Sequence, residues 1–147
     1  MKKFIPPILV LVCLIGMAAV NVLIEDQVRI PYPINLSGVI LILIGLVLGV
    51  SVGRSFKTVD TQIHTFKKPR KLVTNGLFAY SRNPIYFGFT LLLGGAAVLF
   101  GTPLSFLFPV SFFMIANFWY IPFEEKSMLE IFGDDYRNYK ARVRRWI

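Results

Sequence analysis

Residues 85–123 read IYFGFTLLLGGAAVLFGTPLSFLFPVSFFMIANFWYIPF, a stretch of 39 residues without a charge. Gly101-Thr102-Pro103 interrupts it and leaves two apolar segments, Ile85–Phe100 with 16 residues and Pro103–Phe123 with 21. A helix needs about 20 apolar residues to cross a bilayer, with a range of about 17–25. Because the flanking residues lengthen the shorter segment, we expect two membrane helices here, joined as a tight hairpin.

Two further uncharged segments precede this stretch, Phe4–Ile24 and Ile34–Gly53. Four such segments do not fit as buried helices around one small soluble core. The sequence therefore predicts an all-α fold, an integral membrane four-helix bundle with a cytoplasmic C-terminal helical segment. We expect a single membrane domain over 1–147, with transmembrane helices at about 4–24, 34–53, 84–101 and 103–123, a cytoplasmic loop at 54–83 and cytoplasmic helices at 124–147.

The composition supports a membrane protein and excludes several other classes. Hydrophobic residues make up 55% of the 147 residues and charged residues 16%, against about 25% charged in typical soluble domains. A disordered tail is excluded, because such segments are low in hydrophobicity. The net charge of +8 is also found in nucleic-acid binders, but these lack long uncharged runs, so we expect no nucleic-acid partner. One Cys and one His lead us to expect neither an intrachain disulfide nor a metal site.

The basic residues indicate how the chain is oriented. Of the 16 lysines and arginines, 15 lie at the N-terminus, in the loop at 54–83 or after Phe123, and Arg29 alone lies on the other side. The positive-inside rule places both termini in the cytoplasm, so we expect a multi-pass protein of the cell inner membrane, surrounded by membrane lipids. Met1-Lys2-Lys3 before an apolar run also resembles a signal peptide. We expect it to be retained, because cleavage would remove a helix from the bundle.

The third apolar helix begins with a polar sequence, Arg82-Asn83-Pro84. Asn is typical of a helix N-cap and Pro of the first helical position. The free N–H groups there, next to Arg82, could bind an anionic group such as a carboxylate. Alternatively, this is a plain helix cap with an arginine that reaches the membrane surface.

Two adjacent acids, Glu124 and Glu125, follow the last apolar segment. We expect the helix to continue through Phe132, to end at Gly133 and to be followed by a last helix over Asp135–Arg145. On that last helix Tyr136, Tyr139 and Val143 share a face, with Arg142 beside them. The two acids either bind a cationic ligand or take part in an ion-pair network with the basic residues.

Three blocks together resemble the isoprenylcysteine carboxyl methyltransferase and phospholipid methyltransferase superfamily of integral membrane enzymes. Residues 72–88 look like its Arg-His-Pro-x-Tyr-x-Gly block, residues 124–133 look like its paired-Glu block, and residues 136–143 look like its C-terminal block. Asn83 replaces the family's His and cannot titrate, so we expect no proton transfer at this position. With four helices, the chain resembles a small prokaryotic member.

The resemblance implies an S-adenosylmethionine-dependent methyltransferase. The acceptor would be lipophilic, a carboxylate or an amine of a lipid or isoprenoid-like substrate, and would react at the cytoplasmic membrane face. Arg142 would assist a carboxylate acceptor, whereas an amine would need a base such as Glu125. The residues that the resemblance assigns to the cofactor are Arg82, Asn83, Pro84, Tyr86, Gly88, Glu124, Glu125, Tyr136 and Tyr139.

Two alternative functions belong to other classes. One is a membrane NADPH-dependent reductase of the sterol-reductase type, which resembles this superfamily in its C-terminal helices. The other is a non-enzymatic four-helix membrane protein such as a small exporter. Proton-coupled exporters usually keep an acid within the membrane span, and here all eight acids lie outside the four apolar segments.

Overall fold

The structure, a computed structural model, describes residues 5–24, 28–58 and 71–147. Part of the predicted orientation rests on charges outside these residues. They are Lys2, Lys3, Lys67, Lys68 and Arg70, together with the side chain of Lys57. The predicted N-terminal signal-like sequence also begins outside them.

Six α-helices follow one another along the described part of the chain. They are α1 (Pro6–Leu23), α2 (Ser37–Thr58), α3 (Pro84–Phe100), α4 (Leu107–Ile115), α5 (Ile121–Phe132) and α6 (Asp134–Arg142). A π-helical turn, Ala116–Tyr120, joins α4 to α5. The only β-pairing among the described residues is an isolated bridge between Ser81 and Arg144, so the predicted all-α fold is confirmed.

Three helical stretches are long and apolar enough to cross a membrane, Pro6–Leu23, Ile34–Ser55 and Pro103–Phe132. Helix α3 is apolar as well but has 17 residues. The third stretch has 30 residues, which rise about 45 Å, whereas the hydrocarbon core of a bilayer is about 30 Å thick. Its last turns therefore extend beyond the predicted span, which ends at Phe123. The lengths and composition agree with an integral membrane bundle, and the four crossings and their orientation stay predictions.

Helices α2 and α3 approach each other closely because glycines face glycines. A Cβ atom added to Gly45 would lie 2.5 Å from the carbonyl oxygen of Gly88, and one added to Gly88 would lie 3.0 Å from that of Gly45. Gly38 faces Gly95 in the same way, two helical turns along. Since no side chain separates the two backbones, α2 fixes the position of α3 and of the polar residues at its start.

The end of the chain folds back onto the start of α3. Gly133 has a φ of +52° and separates α5 from α6. Helix α6 ends at Arg142, three residues before the predicted end, and the next residue, Val143, is extended. We call Val143–Trp146 the C-terminal tail. The backbone N–H of Arg82 donates to the carbonyl of Arg144 at 2.9 Å, so the tail lies beside the residues that precede α3.

We predict that Gly45→Ala lowers the thermal unfolding midpoint of the purified protein, because the new methyl group collides with the backbone of α3. Overpacking of this kind costs about 1–3 kcal/mol. Gly49→Ala is the matched control on the same helix, since a Cβ at Gly49 has nothing within 4 Å. Equal midpoints for the two variants would contradict the packing described.

Candidate active site

The buried carboxylate of Glu125 forms ion pairs with three cationic side chains. The residue is 7% exposed. Its Oε1 accepts from Nη2 of Arg82 at 2.8 Å, and its Oε2 accepts from Nζ of Lys140 at 3.0 Å and from Nη2 of Arg145 at 3.1 Å. These donors come from the segment before α3, from α6 and from the C-terminal tail. The ion-pair network that the sequence left as one alternative for the acids is thus present at Glu125.

Arg82 serves α6 as well as Glu125. Its Nη1 donates to the carbonyl oxygens of Lys140 and Val143, both at 2.9 Å. These carbonyls lie at the C-terminal end of α6, where backbone acceptors have no partner within the helix. The Nε of Arg82 is buried and has no hydrogen-bond partner among the residues that the structure describes. Arg82 therefore holds the end of α6 and keeps one donor unused.

Asn83 occupies the predicted position before α3 but uses its side chain differently. It makes no side-chain cap to the helix. Its Nδ2 instead donates to the carbonyl oxygen of Arg145 at 3.1 Å, and the hydroxyl of Ser81 donates to the same oxygen at 3.4 Å. Pro84 is the first residue of α3 and is buried. The start of α3 thus binds the C-terminal tail.

The two adjacent acids contact different partners, because neighbouring residues on a helix point about 100° apart. Glu124 accepts a hydrogen bond from the hydroxyl of Tyr86 at 2.9 Å, whereas Glu125 faces the cations. Tyr86 is 2% exposed and stacks on Tyr120 with 6.1 Å between the ring centroids. Glu124 therefore links α5 to α3, and Glu125 links α5 to α6 and the tail.

The two tyrosines of α6, Tyr136 and Tyr139, are both buried. The hydroxyl of Tyr139 donates to the carbonyl of Phe78 at 2.7 Å. Burial is the main cause that raises the pKa of Tyr139, and the nearby Tyr136 raises it further. Burial and then the negative charge of Glu125 raise the pKa of Tyr136 to about 12. Both hydroxyls therefore stay protonated at neutral pH.

The pKa of Glu125 is lowered, although burial alone raises it. Hydrogen bonds from Lys140 and Arg145 and the charge of Arg82 favour the ionised form and outweigh the burial. Glu125 lies on α5 beyond the predicted membrane span. Because its pKa is lowered, the side chain of Glu125 is a carboxylate at neutral pH and a weak base.

A cleft of about 500 Å³ lies between α5 and α6, beside Glu125. We call it the α5–α6 cleft. It has apolar, aromatic and charged walls, formed by Pro122, Leu129, Tyr136, Glu125, Lys126, Arg137, Lys140 and Arg145. Because it offers both signs of charge next to apolar surface, it suits a ligand that carries charges of both signs and an apolar part.

The structure places two of the predicted site residues in the cleft and others next to them. Glu125 and Tyr136 line the cleft, Arg82 pairs with Glu125, and the ring of Tyr139 lies beside that of Tyr136. Gly88 packs against α2 instead. Arg142 is exposed, and its Nε donates to the carbonyl of Asn138 at 3.2 Å. It lies two residues from Lys140, about 200° around the helix, so both cannot face Glu125.

Sequence reasoning missed Lys140 and Arg145. Lys140 follows Tyr136 by four residues and so shares its helix face, which is a signal that the sequence offers. Arg145 carries no such signal, because α6 ends before it and the tail reaches Glu125 as extended chain.

A sequence model of the phospholipid methyltransferase family matches residues 34–135. The probable protein-S-isoprenylcysteine O-methyltransferase of Oryza sativa subsp. indica is 33% identical over 113 residues, which cover 72% of this chain and 56% of the plant protein. The protein-S-isoprenylcysteine O-methyltransferase of Schizosaccharomyces pombe is 31% identical over 97 residues, 64% of this chain and 39% of the yeast protein.

A bacterial relative bears the name of a different methyltransferase. The methanethiol S-methyltransferase 1 of Bradyrhizobium diazoefficiens is 33% identical over 75 residues, which cover 51% of this chain and 25% of that protein. The chain thus spans about half the length of the plant relative and less of the other two. Glu125 lies within the region matched by the family, whereas Lys140 and Arg145 follow it.

We predict that Glu125→Gln lowers the free energy of unfolding by about 3 kcal/mol, because it leaves three clustered cations without their counter-charge. The measurement is thermal unfolding of the purified protein in detergent. Glu130→Gln, at an exposed position of the same helix, is the control and leaves the midpoint unchanged. A Glu125→Gln midpoint equal to that of the control would contradict a structural role for the ion pairs.

Proposed function

This chain belongs to the phospholipid methyltransferase family, and from that premise we propose that it is an S-adenosylmethionine-dependent methyltransferase acting on a lipophilic acceptor. The observation that carries the proposal is the cluster of Glu125 with Arg82, Lys140 and Arg145, which lies beside the α5–α6 cleft. Both lie just beyond the predicted end of a membrane helix. We place the reaction at the cytoplasmic face of the cell inner membrane, on the side of the basic residues.

The charges of the cleft fit the proposed cofactor. S-adenosylmethionine carries a carboxylate, an ammonium and a sulfonium, and when bound it supplies the methyl group on its cationic sulfur. Lys140 and Arg145 suit the carboxylate, with the unused Nε of Arg82 as a further donor in the same cluster. Glu125 suits the cationic groups, and the ring of Tyr136 offers an aromatic face that attracts cations. This fit rests on the donor set of the cleft.

Five of the other predicted residues hold in place the elements that form the cleft. Arg82 and Asn83 hold α6 and the tail in place, and Tyr139 attaches α6 to the segment before α3. The pair of Tyr86 and Glu124 fixes α5 against α3. Methyl transfer depends on alignment of the reacting groups and on exclusion of water, and both require that α5, α6 and the tail keep their relative positions.

Pro122 and Leu129 form the apolar wall of the cleft. Pro122 lies at the predicted end of the membrane span, so an apolar acceptor can reach the cleft from the bilayer without crossing water. This supports a lipophilic acceptor, in agreement with the names of the plant and yeast relatives.

The electrostatics favour an acceptor that needs no base. An amine must lose a proton before it attacks, and Glu125, with its lowered pKa, is a weak base. A carboxylate is already a nucleophile, and the cations of the cleft can hold it. The cations that line the cleft take the role that the sequence gave to Arg142. We therefore propose a lipophilic carboxylate as the acceptor.

We predict that the purified protein in lipid nanodiscs binds S-adenosylmethionine in calorimetric titrations. Glu125→Gln weakens binding at least tenfold, because it removes the carboxylate that faces the cationic groups. Tyr136→Phe, which keeps the ring, is a milder variant with a several-fold loss. Glu130→Gln binds like the wild type. Absence of binding by the wild type would overturn the proposed cofactor.

We also predict that membranes containing the protein transfer label from methyl-labelled cofactor into a long-chain carboxylic acid and not into the amine of equal length. A methyl ester releases its label as volatile methanol in alkali, whereas a methylated amine does not. Alkali-stable label in the amine would contradict a carboxylate acceptor and leave the methyltransferase proposal intact.

A further inference from the structure

Asn117 is a polar residue within the predicted membrane span at 103–123, and the proposed function does not use it. It lies in the π-helical turn Ala116–Tyr120. Such turns are rare and occur frequently at functional sites. A polar side chain at membrane depth needs hydrogen-bond partners, because water is not present to supply them. The partners of Asn117 come from the C-terminal tail.

Asn117 accepts hydrogen bonds from the last two described side chains before Ile147. Its Oδ1 accepts from Nε1 of Trp146 at 3.1 Å and from Nη1 of Arg145 at 3.3 Å. Its backbone carbonyl accepts from the same Nη1 at 3.4 Å. One helical turn earlier, Phe113 stacks on Trp146 with 4.7 Å between the ring centroids. The tail is therefore docked on the side of the membrane helix.

Arg145 connects this docking point with the cleft. Its Nη1 contacts Asn117, and its Nη2 donates to Oε2 of Glu125 at 3.1 Å. Its backbone carbonyl accepts from the side chain of Asn83. The guanidinium thus spans two positions eight residues apart on one continuous helix. Without the side-chain oxygen of Asn117, Nη1 keeps only the 3.4 Å hydrogen bond to the backbone carbonyl. The side chain of Arg145, which is 32% exposed, is then held less firmly and can turn toward water.

We propose that Asn117 is a positioning residue for the α5–α6 cleft: it docks the C-terminal tail and thereby holds Arg145 against Glu125. The proposal rests on the proposed function, since the ligand whose binding it tunes is S-adenosylmethionine. Asn117 itself does not touch the ligand. It acts through the orientation of Arg145, which determines how many cations surround Glu125.

The binding test compares Asn117→Leu, which removes the side-chain acceptor and leaves the backbone carbonyl, with Asn117→Asp, which offers a side-chain oxygen to the same two donors. Calorimetry with S-adenosylmethionine should show about tenfold weaker binding for Asn117→Leu and binding within threefold of the wild type for Asn117→Asp. The matched control is Asn35→Leu, which removes the 3.3 Å hydrogen bond from an asparagine to the carbonyl of Leu99, far from the cleft. It loses thermal stability at most and keeps wild-type affinity.

Three results would overturn the proposal. They are wild-type affinity in Asn117→Leu, no rescue by Asn117→Asp, and an equal loss of affinity in Asn35→Leu. The first would show that Arg145 does not need Asn117. The other two would show that the effect comes from loss of packing or stability instead of from the acceptor oxygen.

A second measurement does not depend on cofactor binding. The chain has two tryptophans, so Trp119→Phe leaves Trp146 as the only tryptophan. In this background, Asn117→Leu should shift the emission of Trp146 to longer wavelength and at least double its quenching by aqueous iodide, and Asn117→Asp should restore both. Unchanged emission would overturn the docking. If the tail is released but the wild type binds no cofactor, the proposed function fails and the docking stands.

Discussion

The carboxylate of Glu125 is the point on which the predicted cytoplasmic end of the bundle depends. A buried charge is costly unless it is paired and hydrogen-bonded, and here Arg82, Lys140 and Arg145 supply the pairing. The local charge is then in excess by two positive units. This excess is tolerated because the side chains of Lys140 and Arg145 remain 48% and 32% exposed to water. The most buried cation, Arg82, also donates to two carbonyl oxygens.

This cluster is effective only because the helices beneath it are fixed. On α3, Gly88 contacts α2 without an intervening side chain, whereas Tyr86, two residues earlier, faces α5 and hydrogen-bonds Glu124. Residues two apart lie on nearly opposite sides of a helix. The close packing on one side of α3 therefore determines where the polar residues on the other side lie.

The helices and part of the site followed from local sequence. The lengths of the uncharged segments predict the apolar helices, and Gly133 separates α5 from α6 as expected. The end of α6 could not be predicted, because Arg82, 60 or so residues earlier, takes the carbonyls of Lys140 and Val143. The prediction that α3 begins at Asn83 and Pro84 is confirmed, but the side chain of Asn83 binds the tail instead of capping the helix. Arg145 was missed for a similar reason, since its side-chain partners Asn117 and Glu125 lie 28 and 20 residues earlier in the chain.

The cluster also shows how a charged ligand could be accommodated under the proposed function. The charges that would bind a zwitterion already satisfy one another, so binding exchanges partners instead of creating charge pairs. Arg82 and Arg145 each have further acceptors, the carbonyls of α6 and the oxygens of Asn117, and remain in place when Glu125 turns to a new partner. The only partner of the Lys140 ammonium among the described residues is Glu125, and its side chain is half exposed. Lys140 is therefore the cation that can move aside, and the two arginines are the fixed frame around which the exchange takes place.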